Sequence, residues 1–316
     1  MSRFCSNERV SNIAPYVPGE QPQDKKYIKL NTNENPYYTS KTATDSITEE
    51  VLKGLKLYSN PNANGITKAI ADFYGVEEEN VIVTNGSDEV LAFAFYAFCT
   101  GKKTAFADIT YGFYKVYATL FGVDYTEIPL NEDFTLNEKA FNDFNGNLIL
   151  ANPNAQTGLY ISNGNIENLL KLHPNDLILV DEAYADFALN TAVGLTKKYD
   201  NLLVVGTFSK SRSLAGARIG FAIGDKALIE DIKKVKYSFN PYNVNKLSQL
   251  LGEYAIKDKD YFIESRDKVI ATRESLKNSL RQLNFTVLDS KANFVLASSS
   301  DIDGESLYLK DRKSVV

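Results

Sequence analysis

Histidine is nearly absent from this chain of 316 residues, with His173 the only one. That excludes a His-based catalytic triad and a metal centre built from several histidines. His173 precedes Pro174 in a polar stretch expected to be a loop without function. Cysteine is limited to Cys5 and Cys99, which form no metal-binding spacing. Cys99 lies in an apolar, helix-like run where a buried free thiol is expected, and a reducing, cytoplasmic setting follows. No apolar run approaches the ~20 residues that span a bilayer. Met1 to Glu20 is polar and interrupted by proline, without the apolar core of a signal peptide. Excess basic charge is missing too: 35 Lys and Arg against 40 Asp and Glu give a net charge of -5. With no basic footprint, nucleic acid is not an expected partner.

What is present is an ordinary globular composition, 44% hydrophobic and 24% charged, with length enough for roughly two domains. Short apolar runs bounded by turn residues recur at Val81–Thr84, Thr104–Ala107, Leu148–Ala151, Leu177–Val180, Leu202–Gly206 and Ile219–Ile223. Helical patterns lie between them, at Glu89–Cys99 and around Phe113–Phe121. Strands alternating with helices predict an α/β fold with a mostly parallel central sheet flanked by helices. After Asn245 the pattern changes to long charged helices such as Tyr261–Leu283, then strand-like Phe285–Leu288 and Asn293–Ala297. The expected organisation is an N-terminal arm and first part of a small domain over 1–45, a large domain over 46–245, and a small α+β domain over 246–316.

In parallel α/β sheets, ligands gather at the carboxyl ends of the strands, and four such ends carry unusual polar sequences. Thr84-Asn85-Gly86-Ser87-Asp88-Glu89 joins a strand to a helix and offers amides to an anion, although a plain capped turn would explain it alone. Asn152-Pro153-Asn154-Ala155-Gln156-Thr157-Gly158 is by itself a loop with turn formers. Val180-Asp181-Glu182-Ala183-Tyr184 puts an acid at the end of an apolar strand, which is costly unless the acid meets a cation. A protonated ring nitrogen suits it better than a metal, because no ligand cluster accompanies it. Thr207-Phe208-Ser209-Lys210 places a lysine just beyond a buried strand, where a desolvated amine becomes a nucleophile. A solvated loop lysine is the bland alternative, and Arg212 is expected to have that fate. Arg218 returns toward the same end and offers a forked phosphate donor. An amine, an acid, an anion nest and an arginine form the set that pyridoxal 5'-phosphate requires.

Asp181–Tyr184 and Ser209–Gly220 resemble the signatures of fold-type I pyridoxal-phosphate aminotransferases of class II. Leu30-Asn31-Thr32-Asn33-Glu34-Asn35-Pro36-Tyr37, Tyr58–Ala63, Asn85–Glu89 and Ile13–Gly19 resemble, more narrowly, the histidinol-phosphate aminotransferase family. The likeness runs in order from about residue 10 to Ala297. It implies that Lys210 carries the cofactor covalently and serves as the base of the proton shift. It implies that Asp181 keeps the ring nitrogen protonated, that Tyr184 bonds the phenolic oxygen, and that Tyr111 stacks on the ring. Gly86, Ser87, Asp88, Ser209 and Arg218 would surround the phosphate, and Tyr58 would reach the phosphate of a partner subunit in a homodimer. Tyr16 and Asn33 would lie against the substrate. Packing is the alternative for Tyr58 and Tyr111, since most of the 19 tyrosines pack.

Two departures from the family pattern stand out. Ala155 occupies the place of an asparagine that touches the phenolic oxygen, and Asn154 is the expected substitute. The family continues a few dozen residues past the position of Val316, with arginines that grip the substrate. The resemblance implies transamination between L-histidinol phosphate and 2-oxoglutarate, giving imidazole-acetol phosphate and glutamate in histidine biosynthesis. Alternatives are aromatic transamination, decarboxylation of an amino-acid phosphate, or a cofactor-binding form of impaired activity whose sheet edge near Asn293–Ala297 is left unpaired.

Overall fold

The computed structural model describes residues 28–314 and, before them, residues 7, 9, 10, 13, 14, 17, 19 and 20. Its centre is a seven-stranded sheet in the order β1-β7-β6-β5-β4-β2-β3. The strands are β1 (Val81–Thr84), β2 (Thr104–Ala107), β3 (Tyr125–Ile128), β4 (Asn147–Ala151), β5 (Ile178–Asp181), β6 (Leu202–Thr207) and β7 (Gly220–Gly224). All neighbours pair in parallel except β7, which runs antiparallel to both β1 and β6. The mostly parallel α/β sheet expected from the sequence is therefore present, with one reversed strand.

The strand sequences are apolar without alternation because both faces are covered. Along β1, β4, β5 and β6, successive residues divide between two cores. Val83, Leu150, Val180 and Val204 face one, and Ile82, Ile149, Leu179 and Leu203 face the other. Helices accompany the strands, among the described residues from 41 onward α1 (Lys41–Asp45), α2 (Glu49–Lys53) and α3 (Asn64–Tyr74). Next come α4 (Ser87–Ala94), α5 (Phe113–Phe121), α6 (Glu138–Asp143), α7 (Asn163–Leu172) and α8 (Lys226–Phe239). The last are α9 (Lys246–Lys257), α10 (Lys259–Gln282) and α11 (Gly304–Ser314). Helix α9 joins the first core through Ala255 and Ile256 and packs on α3. A second sheet pairs β8 (Thr286–Val287) with β9 (Ala297–Ser298) antiparallel. Among the described residues no helix is long and apolar enough to cross a membrane.

Several local expectations change. The edge strand β3 was not legible: Tyr125-Thr126-Glu127-Ile128 is short, and only Ile128 is buried. The helix expected from Glu89 begins at Ser87, and its last turn, Phe95–Cys99, widens to a π-helix. Asn293–Ala297 is mostly loop, and the strand is Ala297–Ser298. His173 does not sit in a polar loop. It caps α7, is buried, and its Nε2 lies 3.2 Å from the Phe141 carbonyl oxygen. Cys99 is a buried free thiol, pushed up to about 11 by burial.

Candidate active site

Parallel pairing brings the ends of β2, β4, β5 and β6 to one edge of the sheet, and antiparallel β7 starts there with the end of β1 beside it, in the registers Thr207↔Gly220 and Thr84↔Gly220. Residues distant in sequence thereby line one cavity of about 590 Å³. Ser87 and Asp88 enter from β1, Tyr111 from β2, Ala155 and Gln156 from β4, Asp181 and Tyr184 from β5, Ser209 and Lys210 from β6, and Arg218 from the lead into β7. Lys29 and Asn31 to Glu34, part of the proline- and asparagine-rich N-terminal segment, close the remaining side.

Asp181 forms the cavity's acid pole. Its Oδ2 accepts from the Tyr114 hydroxyl at 2.9 Å and its Oδ1 from the Ala183 amide at 3.1 Å. No lysine or arginine among the described residues pairs with it. Burial raises its carboxyl from 3.8 to about 6, against the lowering pull of those two hydrogen bonds. A buried acid fixed by two donors yet lacking a cation is suited to receiving one from a ligand.

Lys210 forms the amine pole. Its Nζ donates to the Thr32 carbonyl oxygen at 2.7 Å and stands 5.8 Å from the centre of the Tyr184 ring. Burial holds this ammonium below its ordinary value, and the charges of Glu34 and Asp88 oppose the shift. The lowered value increases the neutral amine present at a given pH, which a nucleophile or base needs. Asn33 Nδ2 donates to the Tyr184 hydroxyl at 3.2 Å, joining the N-terminal segment to the β5 loop.

The third pole is for an anion. Gly86 adopts φ +85°, and a Cβ there would stand 2.4 Å from Arg218 Nη2. Gly220 is tighter still, because its Cβ would stand 2.2 Å from both the Gly86 carbonyl carbon and the Ser87 nitrogen. Two glycines thus let the loop at the start of α4 meet the start of β7 and the Arg218 that precedes it. Arg218 Nη2 pairs with Asp88 Oδ2 at 2.9 Å, and the Tyr111 hydroxyl donates to Asp88 Oδ1 at 2.7 Å. Thr207 and Ser209 share a hydroxyl hydrogen bond of 2.9 Å beside them. Amine, cation-seeking acid and cationic helix entrance surround one cavity, so the residues fit the cofactor expected from the sequence.

Sequence reasoning had not named the outer charges of the cavity. Lys29 Nζ pairs with Glu34 Oε2 at 2.5 Å, and both line the cavity. Tyr114, which anchors Asp181, was missed as well, because nothing distinguishes it from the other tyrosines of α5. Asn154 corrects an expectation. Its Oδ1 accepts from the Gln156 and Thr157 amides at 2.9 and 3.2 Å, and its Nδ2 donates to the Ile109 carbonyl oxygen at 3.0 Å. It faces a neighbouring cavity, while Ala155 and Gln156 line the one holding Lys210. Its Oδ1 closes its own turn, a habit of asparagine, and its Nδ2 ties that turn to the loop after β2. Tyr58 does not line the cavity: it is 83% exposed and stacks on Tyr242 with ring centres 4.6 Å apart. Tyr16 lies outside the described residues. Arg212 is the clearest reversal, for it is not solvated but 6% exposed, packed among phenylalanine rings.

Comparison with known proteins gives a consistent result. The aminotransferase class I and II family matches residues 25–310. A histidinol-phosphate aminotransferase of Clostridium acetobutylicum is 50% identical over 314 residues, covering 99% of this chain and 89% of the relative. One from Brachyspira hyodysenteriae is 48% identical over 312 residues, covering 98% and 88%. Among solved structures, a histidinol-phosphate aminotransferase from Clostridium acetobutylicum superimposes with a TM-score of 0.82 at 26% identity, covering 90% of this chain and 86% of that one. The Sinorhizobium meliloti histidinol-phosphate aminotransferase in complex with pyridoxal-5'-phosphate shares the fold, with a TM-score of 0.77 at 20% identity, covering 85% and 75%.

Proposed function

The chain belongs to the class I and II aminotransferase family, and we propose from that premise that it is a histidinol-phosphate aminotransferase. It transfers the amino group of L-histidinol phosphate to 2-oxoglutarate, giving imidazole-acetol phosphate and glutamate, a step of histidine biosynthesis. The observation that carries the substrate assignment is 50% identity to a relative of that name along 99% of the chain. The cavity supports the chemistry, because its three poles match the amine, acid and anion donors that pyridoxal 5'-phosphate requires. When bound, that cofactor supplies an aldehyde to take up nitrogen and a protonated ring to draw electrons from the substrate's α-carbon.

The residues divide the remaining work. Lys210 would hold the cofactor through Nζ, and that same atom, once free, would take the proton from the substrate's α-carbon. Burial aids it, since an amine held below its ordinary value gives and accepts protons more readily near neutral pH. Asp181, fixed by Tyr114 and Ala183, keeps a proton on the ring nitrogen. Tyr184 presents its hydroxyl to the phenolic oxygen, held in place by Asn33. Gly86, Ser87, Asp88, Ser209 and Arg218 receive the phosphate, and Tyr111 forms the wall against the ring. Asn33, with Tyr16, contacts the substrate.

The active form we propose is a homodimer with Tyr58 reaching the partner's phosphate site. Tyr58 is supported in that role by its exposure and by its stacking on Tyr242, itself 42% exposed. The test is a half-reaction on purified protein loaded with cofactor. Histidinol phosphate should discharge the cofactor's visible absorbance at lower concentration than phenylalanine or tyrosine. Preference for an aromatic amino acid, or release of carbon dioxide from a phosphorylated amino acid, would overturn the substrate assignment.

A further inference from the structure

Arg212 stands two residues beyond Lys210, and the proposed reaction gives it no role. Its guanidinium carbon lies 3.9 Å from the ring centre of Phe262, 4.8 Å from that of Phe73 and 5.5 Å from that of Phe208. Neither Nη1 nor Nη2 has a hydrogen-bond partner, and both are shut off from solvent. No carboxylate among the described residues forms an ion pair with it. A guanidinium buried against ring faces, favoured by the charge of Asp186 but with no ion pair or hydrogen bond at its terminal nitrogens, is costly, and an apolar side chain of similar length would fill the same space without that cost. Packing therefore does not explain the choice of arginine. What distinguishes arginine is that it attracts three rings at once without fixed hydrogen-bond directions.

Those rings come from different parts of the fold: Phe73 from α3, Phe208 from the end of β6, and Phe262 from α10. The loop between them is short and closed. Leu214 N donates to the Phe208 carbonyl oxygen at 3.1 Å, and Ser213 takes the left-handed φ of 57°. Ser211 Oγ bonds Asp186, and the Ser211 carbonyl oxygen accepts from Asn35 Nδ2 at 3.3 Å. Lys210 and Arg212 thus ride on one tethered loop, the first reaching the cavity and the second reaching α10. Helix α10 also touches the segment after Tyr184, where Arg273 Nη1 donates to the Phe187 carbonyl oxygen at 3.2 Å. One helix is therefore connected to both loops that carry the amine and the tyrosine of the site.

We propose that Arg212 is a positioning residue, which transmits the place of α10 to the Lys210 loop through its ring contacts and so sets where Lys210 Nζ stands. The proposal rests on Lys210 being the residue that holds the cofactor. The link runs through the contacts between the guanidinium and the rings, so removing the cation and removing the α10 ring should act alike. The test compares Arg212→Met and Phe262→Leu with the native protein, all loaded with cofactor. Borohydride reduction first locates the cofactor. A label away from Lys210 in the native protein would sink the functional reading itself, and with it this proposal.

With the label on Lys210, both variants should keep it and melt no more than a few degrees from the native protein. Each should lose about tenfold to a hundredfold in kcat with little change in KM, the scale of a misplacement near 1 Å. Hydrogen exchange at the amides of 208–214 should quicken by about tenfold, a change that loss of a distant packing contact would not confine to this loop. Arg212→Lys, which keeps a cation near the rings, should recover part of the kcat. Native kcat and native exchange in Arg212→Met would overturn the proposal. Should that variant not fold, native behaviour of Phe262→Leu would overturn it equally.

Discussion

Replacing Asp181 by Asn should stabilise the cofactor-free protein at neutral pH while weakening its hold on the cofactor. Burial lifts the carboxyl from 3.8 to about 6 in the folded chain. The ionised form is therefore disfavoured by about 3 kcal/mol, at about 1.4 kcal/mol per pH unit. Because the folded state binds this proton more tightly than the unfolded state, stability is lost as pH rises between about 4 and about 6, and the loss is complete above that range. Asn does not titrate, so the variant escapes this loss. Its Oδ1 can still accept from the Ala183 amide, and its Nδ2 can donate to the Tyr114 hydroxyl oxygen, which turns from donor to acceptor. The stability gap should thus open by about 3 kcal/mol in favour of Asp181→Asn between pH 4 and pH 7. The other titrating groups are common to both proteins and cancel. Denaturant titration of the two stripped proteins at several pH values measures this gap. Adding cofactor should reverse the ranking, because the carboxylate then faces a protonated ring nitrogen. A gap that stays constant with pH, or that opens the other way, would refute the reasoning that Asp181 is a buried acid awaiting a cation.

Borohydride reduction should fix the cofactor's mass to the peptide containing Lys210, and Lys210→Ala should show no such label by mass spectrometry. Tyr58→Phe and Lys210→Ala, each of low activity alone, should regain part of the activity when mixed, as composite dimer sites require; full activity of an isolated monomer would contradict this. Gly220→Ala drives a Cβ against the backbone of Gly86 and Ser87, neither of which can rotate away. Unfolding experiments should show a loss of about 1–3 kcal/mol, and cofactor titration should show weaker binding.

The sequence by itself determined the layering of the fold. Runs such as Leu202–Gly206 are apolar on successive residues, which only a strand covered on both faces tolerates, and the intervening helical patterns dictated parallel pairing. It also singled out Lys210, Asp181 and Arg218 as candidates, because each is a charged group at the end of, or just before, an apolar strand. Edge strand β3 stayed hidden, since a strand with one covered side needs no continuous apolar run. The fates of Asn154 and Arg212 were decided only by tertiary structure. Asn154 is drawn away from its expected role because its Oδ1 closes its own turn and its Nδ2 donates to the Ile109 carbonyl oxygen of another loop. Arg212, in a polar segment that pointed to solvent, was buried by rings supplied from residues 73 and 262. Local composition records what a residue carries and how its neighbours alternate. It does not record which side of a short loop faces a helix that arrives fifty residues later, and that choice is made when the layers close.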